Sequence, residues 1–431
     1  MRIILPTNLF DSINEVCASD EHREKSYLLC DIILRNRAVT RTMYVDLPSA
    51  YLTKIFNKNY CRFFDKLRLA DIVQSFTNCE GVESYSTVKR ESKKYRINPM
   101  LMTSEIKQVE LKTKETKKSV EEFAIACMSS LVYDLDSLNG ITRAVCDSIR
   151  MTVITEPSDE KIRLCYPEFE ACGMTDYGKK TYSTVAEELY LISDTRFSLC
   201  KIGRKYYTVG EPGLLLSARR TETFSSMDDS ILRLHYGSFR ANVNETNGRL
   251  DTNFTSLHGK LVESIMERNG LVQLDIANSQ FAFLSSILGN SDDEITFKNM
   301  SAEGTLYEYL EEELGLRGRS DAKDIMFKLM FSKNSSFKSE KEAFGGLFPS
   351  VLRFVSKFKK SAKYADFSVM LQRMESDVMI GKIYSELAES GIWGLTVHDS
   401  VICKKDDSEK VRMIMERVLA ESGIICKLNL K

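Results

Sequence analysis

The segment from Gly391 to Cys403 is the tightest local constraint in the chain. Ile392, Trp393, Leu395 and Val397 precede a polar tip, His398-Asp399-Ser400, and Val401, Ile402 and Cys403 follow it. Apolar arms around so short a tip fold as strand, tight turn, strand. Such a tip is rigid and can aim Asp399 at a fixed point. A second carboxylate has a comparable perch: Leu271-Val272-Gln273-Leu274 leads into Asp275, then a polar bend through Asn278-Ser279-Gln280, then an apolar helix-like run from Phe281 to Leu288. A buried strand that ends on an aspartate fixes the oxygens where the sheet edge opens to solvent. Two aspartates on neighbouring strands can hold two magnesium ions about 3.5–4 Å apart. Plainer readings stand beside these. A strand-ending aspartate is often a helix cap, and a His-Asp pair is often an Asx turn with a neighbouring histidine.

Between the two carboxylates, Arg319, Lys323, Phe327 and Phe331 recur at a spacing of four. On a helix they form one slowly drifting stripe that advances about 6 Å per step. Cations at the N-terminal end meet phosphates, where the helix dipole also favours anions. Rings further along can stack on a base, so the stripe spans a nucleoside triphosphate from phosphate to base. The alternative is an ordinary amphipathic helix with both phenylalanines in the core.

Taken in order, carboxylate, cation-aromatic helix and His-Asp hairpin resemble the palm and fingers of family A, DNA polymerase I-like enzymes. Asp275 matches the metal aspartate of motif A, the Arg319 to Phe331 stripe the fingers helix of motif B, and His398-Asp399 the pair of motif C. Asn247-Gly248-Arg249-Leu250, followed by Asn253 to Leu257, resembles the segment upstream of motif A whose arginine meets primer-template DNA. Gln372, on the helix-like stretch Ser368 to Leu387, stands for the glutamine-bearing helix before motif C. The resemblance covers 236–431 and implies an α+β right-hand fold: a palm with an antiparallel sheet, helical fingers and a helical thumb. It implies that Asp275 and Asp399 bind two magnesium ions, with manganese able to substitute. Arg319 and Lys323 would bind the triphosphate, Phe327 would stack on the incoming nucleotide and Phe331 would close the base-pair pocket. Arg249, His398 and Gln372 would contact the primer end. The partners are then a nucleic-acid primer-template and nucleoside triphosphates.

Departures bear on the sugar. Ser400 stands where DNA polymerases of this family usually carry Glu, and His-Asp-Ser is the form seen in the related phage-type single-subunit RNA polymerases. Gln280 occupies the fifth position after Asp275, where family A DNA polymerases usually have a Glu that blocks the ribose 2′ hydroxyl. Gln is isosteric with Glu, so a deoxynucleotide preference with some ribonucleotide use is expected. Aligning Ser279-Gln280 differently moves that gate to Ala282 and implies RNA synthesis. The expected function is a compact template-dependent DNA polymerase of phage or mobile-element replication. The alternatives are an RNA polymerase or primase on the same fold, or a DNA-binding initiator with an inactive palm. The N-terminal half shows no proofreading exonuclease signature.

Elsewhere the sequence is less specific. Residues 1–102 are expected to form a small α+β domain: a helix from Ala50 to Phe56 with Tyr51, Ile55 and Phe56 at helical spacing, and a run from Tyr60 to Phe76 with Phe63, Phe64, Leu67, Leu69, Ile72 and Val73 on one broad face. A ribbon of Glu83 to Lys89 and Lys94 to Asn98 follows, with Lys89, Arg90, Lys93 and Lys94 at its tip. Helix, helix and basic ribbon resemble a winged helix, which would bind duplex DNA. Residues 103–235 are read as a charged linker, with Lys112, Lys114, Lys117 and Lys118, and a helical thumb-like region. A helical pattern runs from Val120 to Arg150, and Arg204-Lys205-Tyr206-Tyr207 reads as an edge strand or a stacking patch. Arg353, Lys357, Lys359, Lys360 and Lys363 are candidates to follow a template backbone or form a solvated helix face. With 43% hydrophobic and 28% charged residues the chain is globular, and a net charge of −1 leaves room for a nucleic-acid site only as a local groove. No apolar run is long enough for a membrane span. Eleven scattered cysteines without a Cys-x-x-Cys pair imply a reduced, cytoplasmic protein with no zinc site, in a bacterial or phage-infected cell.

Overall fold

The structure is a computed structural model that describes residues 1–40, 44–58, 60–76, 92–103, 105–111, 119–149, 153–154, 198–202, 205–209, 212–361 and 364–431. It is an α+β protein, mostly helical with small, largely antiparallel sheets. The chain divides into two compact units, Met1–Glu115 with Tyr133–Ser238, and Thr116–Val132 with Phe239–Lys431.

The first unit contains β1 (Arg2–Pro6), β2 (Val45–Asp46), β3 (Val73–Ser75), β4 (Lys94–Ile97), β5 (Ile106–Glu110), β6 (Val153–Ile154), β7 (Ser198–Ile202) and β8 (Lys205–Val209). β1 pairs antiparallel with β5, from Arg2↔Glu110 to Pro6↔Ile106. β4 lies between β2 and β3, and β8 lies between β6 and β7. A long helix, Asp20–Thr40, buries Leu29, Cys30, Ile33 and Leu34 together with Asp31 and Arg35. Asp31 accepts from Arg35 Nε at 2.7 Å and from Arg233 Nη1 at 2.5 Å. Arg35 also donates to Ser238 Oγ at 2.7 Å, and Arg233 to Asp229 at 2.7 Å. This network ties the helix Asp20–Thr40 to the helix Pro212–His235. Burial opposes ionisation of Asp31, but Arg35 and Arg233 outweigh it and hold the carboxyl below its ordinary value.

Several local expectations are corrected. The helix Ser49–Phe56 turns Leu52 and Phe56 inward and leaves Tyr51 and Ile55 exposed, because the four-residue repeat of Leu52 and Phe56 already fills the core-facing side. The run from Tyr60 is not one face. Its helix ends at Leu69, Asp71 takes a positive φ of 53°, and Ile72-Val73 turn into β3, so Leu69 is exposed. β4 pairs with β2 and β3, and the segment 83–89, with Lys89 and Arg90, lies outside the described residues. So do Lys112, Lys114, Lys117, Lys118, Arg150, Arg204 and Lys363. The pattern from Val120 breaks into helices Ser119–Ser129 and Leu135–Ser148, the second started by Asp134 accepting from Ser137 N at 3.3 Å. β8, with Tyr206 and Tyr207, is a central strand and not an edge. Among the described residues no helix is long and apolar enough to cross a membrane.

The second unit positions the candidate site. β9 (Ala241–Val243) and β10 (Leu250–Thr252) form one hairpin. β11 (Leu271–Ile276), β12 (Gly394–Val397), β13 (Ser400–Lys404) and β14 (Leu428–Leu430) form an antiparallel sheet in the order β12-β13-β11-β14. The register sets Leu274 with Val401 on one face of this sheet and Leu395 with Ile402 on the other, and all four are buried. The Tyr384 hydroxyl donates to Gly394 O at 3.1 Å from the π-helical turn Met379–Tyr384.

Beside the sheet, helices Asp292–Glu303, Leu306–Glu313, Arg319–Phe331, Lys338–Leu347 and Pro349–Ser361 pack around Phe297, Phe344 and Phe348. Two buried ammonium groups close the C-terminal end of the helix Arg319–Phe331. Lys359 donates to Leu329 O at 2.6 Å and Ser332 O at 2.8 Å, and Lys341 donates to Ser332 Oγ at 2.7 Å. Burial, aided by Lys341, pushes the Lys359 ammonium down to about 8. Lys359 is therefore not free for a template strand, whereas Arg353, Lys357 and Lys360 remain exposed on the same helix.

Asp31→Asn should lower the stability of the first unit by about 3–5 kcal/mol, because it strips a buried pair of guanidiniums of its counter-charge. Equilibrium urea unfolding measures this; a loss below about 1 kcal/mol would contradict the network's role. The Asp31 contribution is present above the ordinary carboxylate pKa and is lost as pH falls through its depressed folded value.

Candidate active site

The hairpin β12-β13 closes with Val397 opposite Ser400, so His398 and Asp399 alone form the loop. His398 holds a φ of 58°, a left-handed conformation uncommon outside glycine and often found where a side chain has a task. Ser400 explains the departure at the third motif position. It is fully buried, its hydroxyl donates to Val397 O at 2.7 Å, and it accepts from Gln273 Nε2 at 2.7 Å, stitching β13 to β11.

Pairing places Asp275 opposite Ser400 on one side and Asn429 on the other. The backbone N–H of Ile276 donates to Asp399 O at 3.2 Å, so the hairpin tip is pinned to the strand that carries Asp275. Burial pushes the Asp399 carboxyl up to about 6, reinforced by the negative charges of Glu375 and Asp275 and partly offset by Arg249. Asp275 makes no cap; its Oδ2 accepts from Lys431 Nζ at 2.8 Å.

Glu375, on the helix Tyr364–Val378, is the buried centre of the polar contacts. Its Oε1 accepts from Arg249 Nε at 2.9 Å and Nη2 at 2.6 Å. Its Oε2 accepts from Ser279 Oγ at 2.9 Å and Gln280 Nε2 at 2.6 Å. The Arg249 turn docks on the same helix. Gly248 has a φ of 76°, and a Cβ there would stand 3.0 Å from Ser376 Cβ, so this close approach suits glycine alone. Asn247 Nδ2 lies 3.4 Å from Gln372 Oε1, a long contact that sets Gln372 beside this turn. Burial, with Arg249 acting in the same direction, holds the His398 imidazole below its ordinary value, so it is neutral near pH 7.

The helix Arg319–Phe331 buries Ala322, Ile325, Met326, Leu329 and Met330. The predicted stripe is its other side. Arg319 and Lys323 are exposed, Phe327 is 62% exposed, and its ring lies 4.6 Å from that of half-buried Phe331. The reading with both phenylalanines in the core therefore fails. Arg319 also pairs with Glu308 at 3.0 Å. Both cations stand over the Tyr307 ring, at 5.3 Å for Arg319 and 5.7 Å for Lys323. Burial pushes the Tyr307 phenol up to about 12, with Arg319 opposing and Asp399 reinforcing the shift.

The structure brings Asp275, Asp399, His398, Arg249, Gln280 and Gln372 to one end of the sheet, while Arg319 and Lys323 stand over Tyr307. Phe327 and Phe331 lie further along the same helix. No family model matches this chain, and no curated protein matches it in sequence. Sequence reasoning missed Glu375, Tyr307, Ser279 and Lys431. Glu375 had one signal, a lone acid three residues after Gln372 on a side otherwise bearing Leu371 and Val378.

Among the described residues no three His, Cys, Asp or Glu side chains gather as a ready cation cage. Two hard carboxylates suit magnesium all the same, because that ion is usually held by one or two carboxylates completed by substrate phosphates and water. Burial is the main cause that raises Asp399, and Asp275 already holds the Lys431 ammonium, which a cation there would have to displace.

Asp399 penalises the fold when ionised: its favourable contribution is present below pH 3.8 and is lost as pH rises to about 6. Asp399→Asn without divalent cations should therefore raise stability at pH 7, by on the order of 1–2 kcal/mol after allowing for partial exposure. The gain should vanish below pH 4. Thermal melts across pH check this; a destabilised variant at pH 7 would count against the coupled pair.

Proposed function

We propose that the second unit is a template-dependent nucleotidyl transferase, a compact family A-like DNA polymerase without proofreading exonuclease, suited to phage or mobile-element replication. The observation that carries this reading is the pair Asp275, near the end of β11, and Asp399, in the β12–β13 turn, whose carbonyl is held by the Ile276 N–H of β11. The exposed Arg319-Lys323-Phe327 side supports it, since a helix exposing two cations and an aromatic ring in line offers a triphosphate and a base their contacts.

The reaction is attack of a primer 3′ oxygen on the α-phosphorus of a nucleoside triphosphate. The O–P bond forms, the hydroxyl proton leaves, and pyrophosphate departs with the electrons of the broken P–O bond. Asp275 and Asp399 would hold two magnesium or manganese ions, which supply hydroxyl acidification and charge neutralisation when bound. Lys323 and Arg319 orient the β- and γ-phosphates and neutralise the leaving group. Phe327 and Phe331 offer the base a stacking surface. Arg249 and neutral His398 face the primer end, and Gln372 steadies the Arg249 turn.

A ribonucleotide-using enzyme on the same fold is the second reading. Ser400 favours it, as does Gln280 in place of a glutamate, its amide N–H bonded to Glu375.

Asp275→Asn and Asp399→Asn should each reduce primer extension with magnesium by roughly a thousandfold or more while the protein stays folded. Lys323→Ala should lower kcat/KM for the triphosphate by about ten- to a hundredfold and leave primer-template affinity unchanged. Wild-type rates in either aspartate variant would sink the two-carboxylate site. Lost primer-template binding with unchanged nucleotide use in Lys323→Ala would sink the triphosphate assignment.

A further inference from the structure

We propose that Glu375 is a positioning residue that sets the primer-side cation Arg249 and the nucleotide-side pair Ser279-Gln280 as one unit; this rests on the polymerase reading above. Its carboxylate divides its two oxygens between two jobs. Oε1 takes both Arg249 bonds, at 2.9 and 2.6 Å, and Oε2 takes Ser279 Oγ at 2.9 Å and Gln280 Nε2 at 2.6 Å. At 1% side-chain exposure the carboxylate has no water to fall back on, so each donor it loses must be replaced within the protein.

The consequences run outward. Glu375 takes only Nε and Nη2 of Arg249, so Nη1 stands outside this pair and the guanidinium is oriented by it. On the other side, a carboxylate can accept only, so the Gln280 amide must present N–H to Glu375 and turn its carbonyl away. That carbonyl, Oε1, is buried without a partner. The same contact explains why position 280 is Gln and not Glu: a second carboxylate 2.6 Å from Oε2 would face a like charge. Arg249 and Gln280 thus lie on separate elements, yet one buried group fixes both.

The test is steady-state single-nucleotide incorporation by the full chain on a DNA primer-template with magnesium. Glu375→Gln keeps one oxygen for the Arg249 bonds but removes the charge opposite that guanidinium and sets an NH2 against Ser279 and Gln280, so both sides are weakened. KM should rise about tenfold or more for both primer-template and nucleotide. Arg249→Ala combined with Glu375→Gln should be no worse for primer-template KM than the worse single variant. The exchange Gln280→Glu with Glu375→Gln restores a carboxylate-amide pair on the nucleotide side only, so nucleotide KM should recover while primer-template KM does not. Ser279→Ala removes one neutral donor and should raise nucleotide KM alone; it carries the test if Glu375→Gln fails to fold. A purely structural Glu375 would lower kcat or the active fraction with both KM values unchanged and no recovery on exchange, and that result overturns the proposal. If the wild-type chain extends no primer, the polymerase reading and the proposal fall together; if it extends and the KM values do not move, only the positioning role falls.

Discussion

The site depends on the pairing of β11 with β13, which sets Asp275 opposite Ser400 and ties Asp399 back to Ile276. That register brings two carboxylates to one end of a sheet, and burial makes their repulsion costly. A one-residue slip would turn Asp275 to the other sheet face and undo it. Ser400 secures the register through hydrogen bonds to both strands, using a small neutral side chain where a further carboxylate beside Asp275, Asp399 and Glu375 would deepen the repulsion.

Around this pair the protein places fixed positive charge without neutralising the site. Arg249 acts through Glu375, Lys431 lies against Asp275, and Arg319 and Lys323 stand over Tyr307. These groups leave a negative centre ringed by cations, an arrangement suited to a metal-bound, highly anionic substrate. His398 in a left-handed conformation and orphaned Gln280 Oε1 are local costs of the same construction. Natural proteins concentrate such costs at functional sites.

Much of the second unit was legible in the sequence. The arms around His398-Asp399 and the strand into Asp275 are short apolar runs with sharp polar ends, and both fold as strands where expected. The stripe of Arg319, Lys323, Phe327 and Phe331 was legible as spacing, but its side was not. The intervening Ala322, Ile325, Met326, Leu329 and Met330 form an equally good apolar face, and only packing decides between them. Glu375 and Tyr307 were hidden because their roles come from contacts across distant segments, which no local pattern encodes. In the first unit, Leu69 and Ile72-Val73 shared an apolar run, yet the left-handed Asp71 redirects the chain between them. Lys359 looked like one more surface cation, whereas it closes a helix end inside the helical cluster.

The most direct measurement of the central claim is templated single-nucleotide incorporation by the wild-type chain. A primer-template would be offered each of the four bases in turn, as deoxy- and as ribonucleotides, with magnesium and then with chelator. The account predicts incorporation that follows the templating base, requires the divalent cation and occurs with at least one sugar. Absence of templated incorporation with either sugar, on DNA and RNA templates alike, would contradict it.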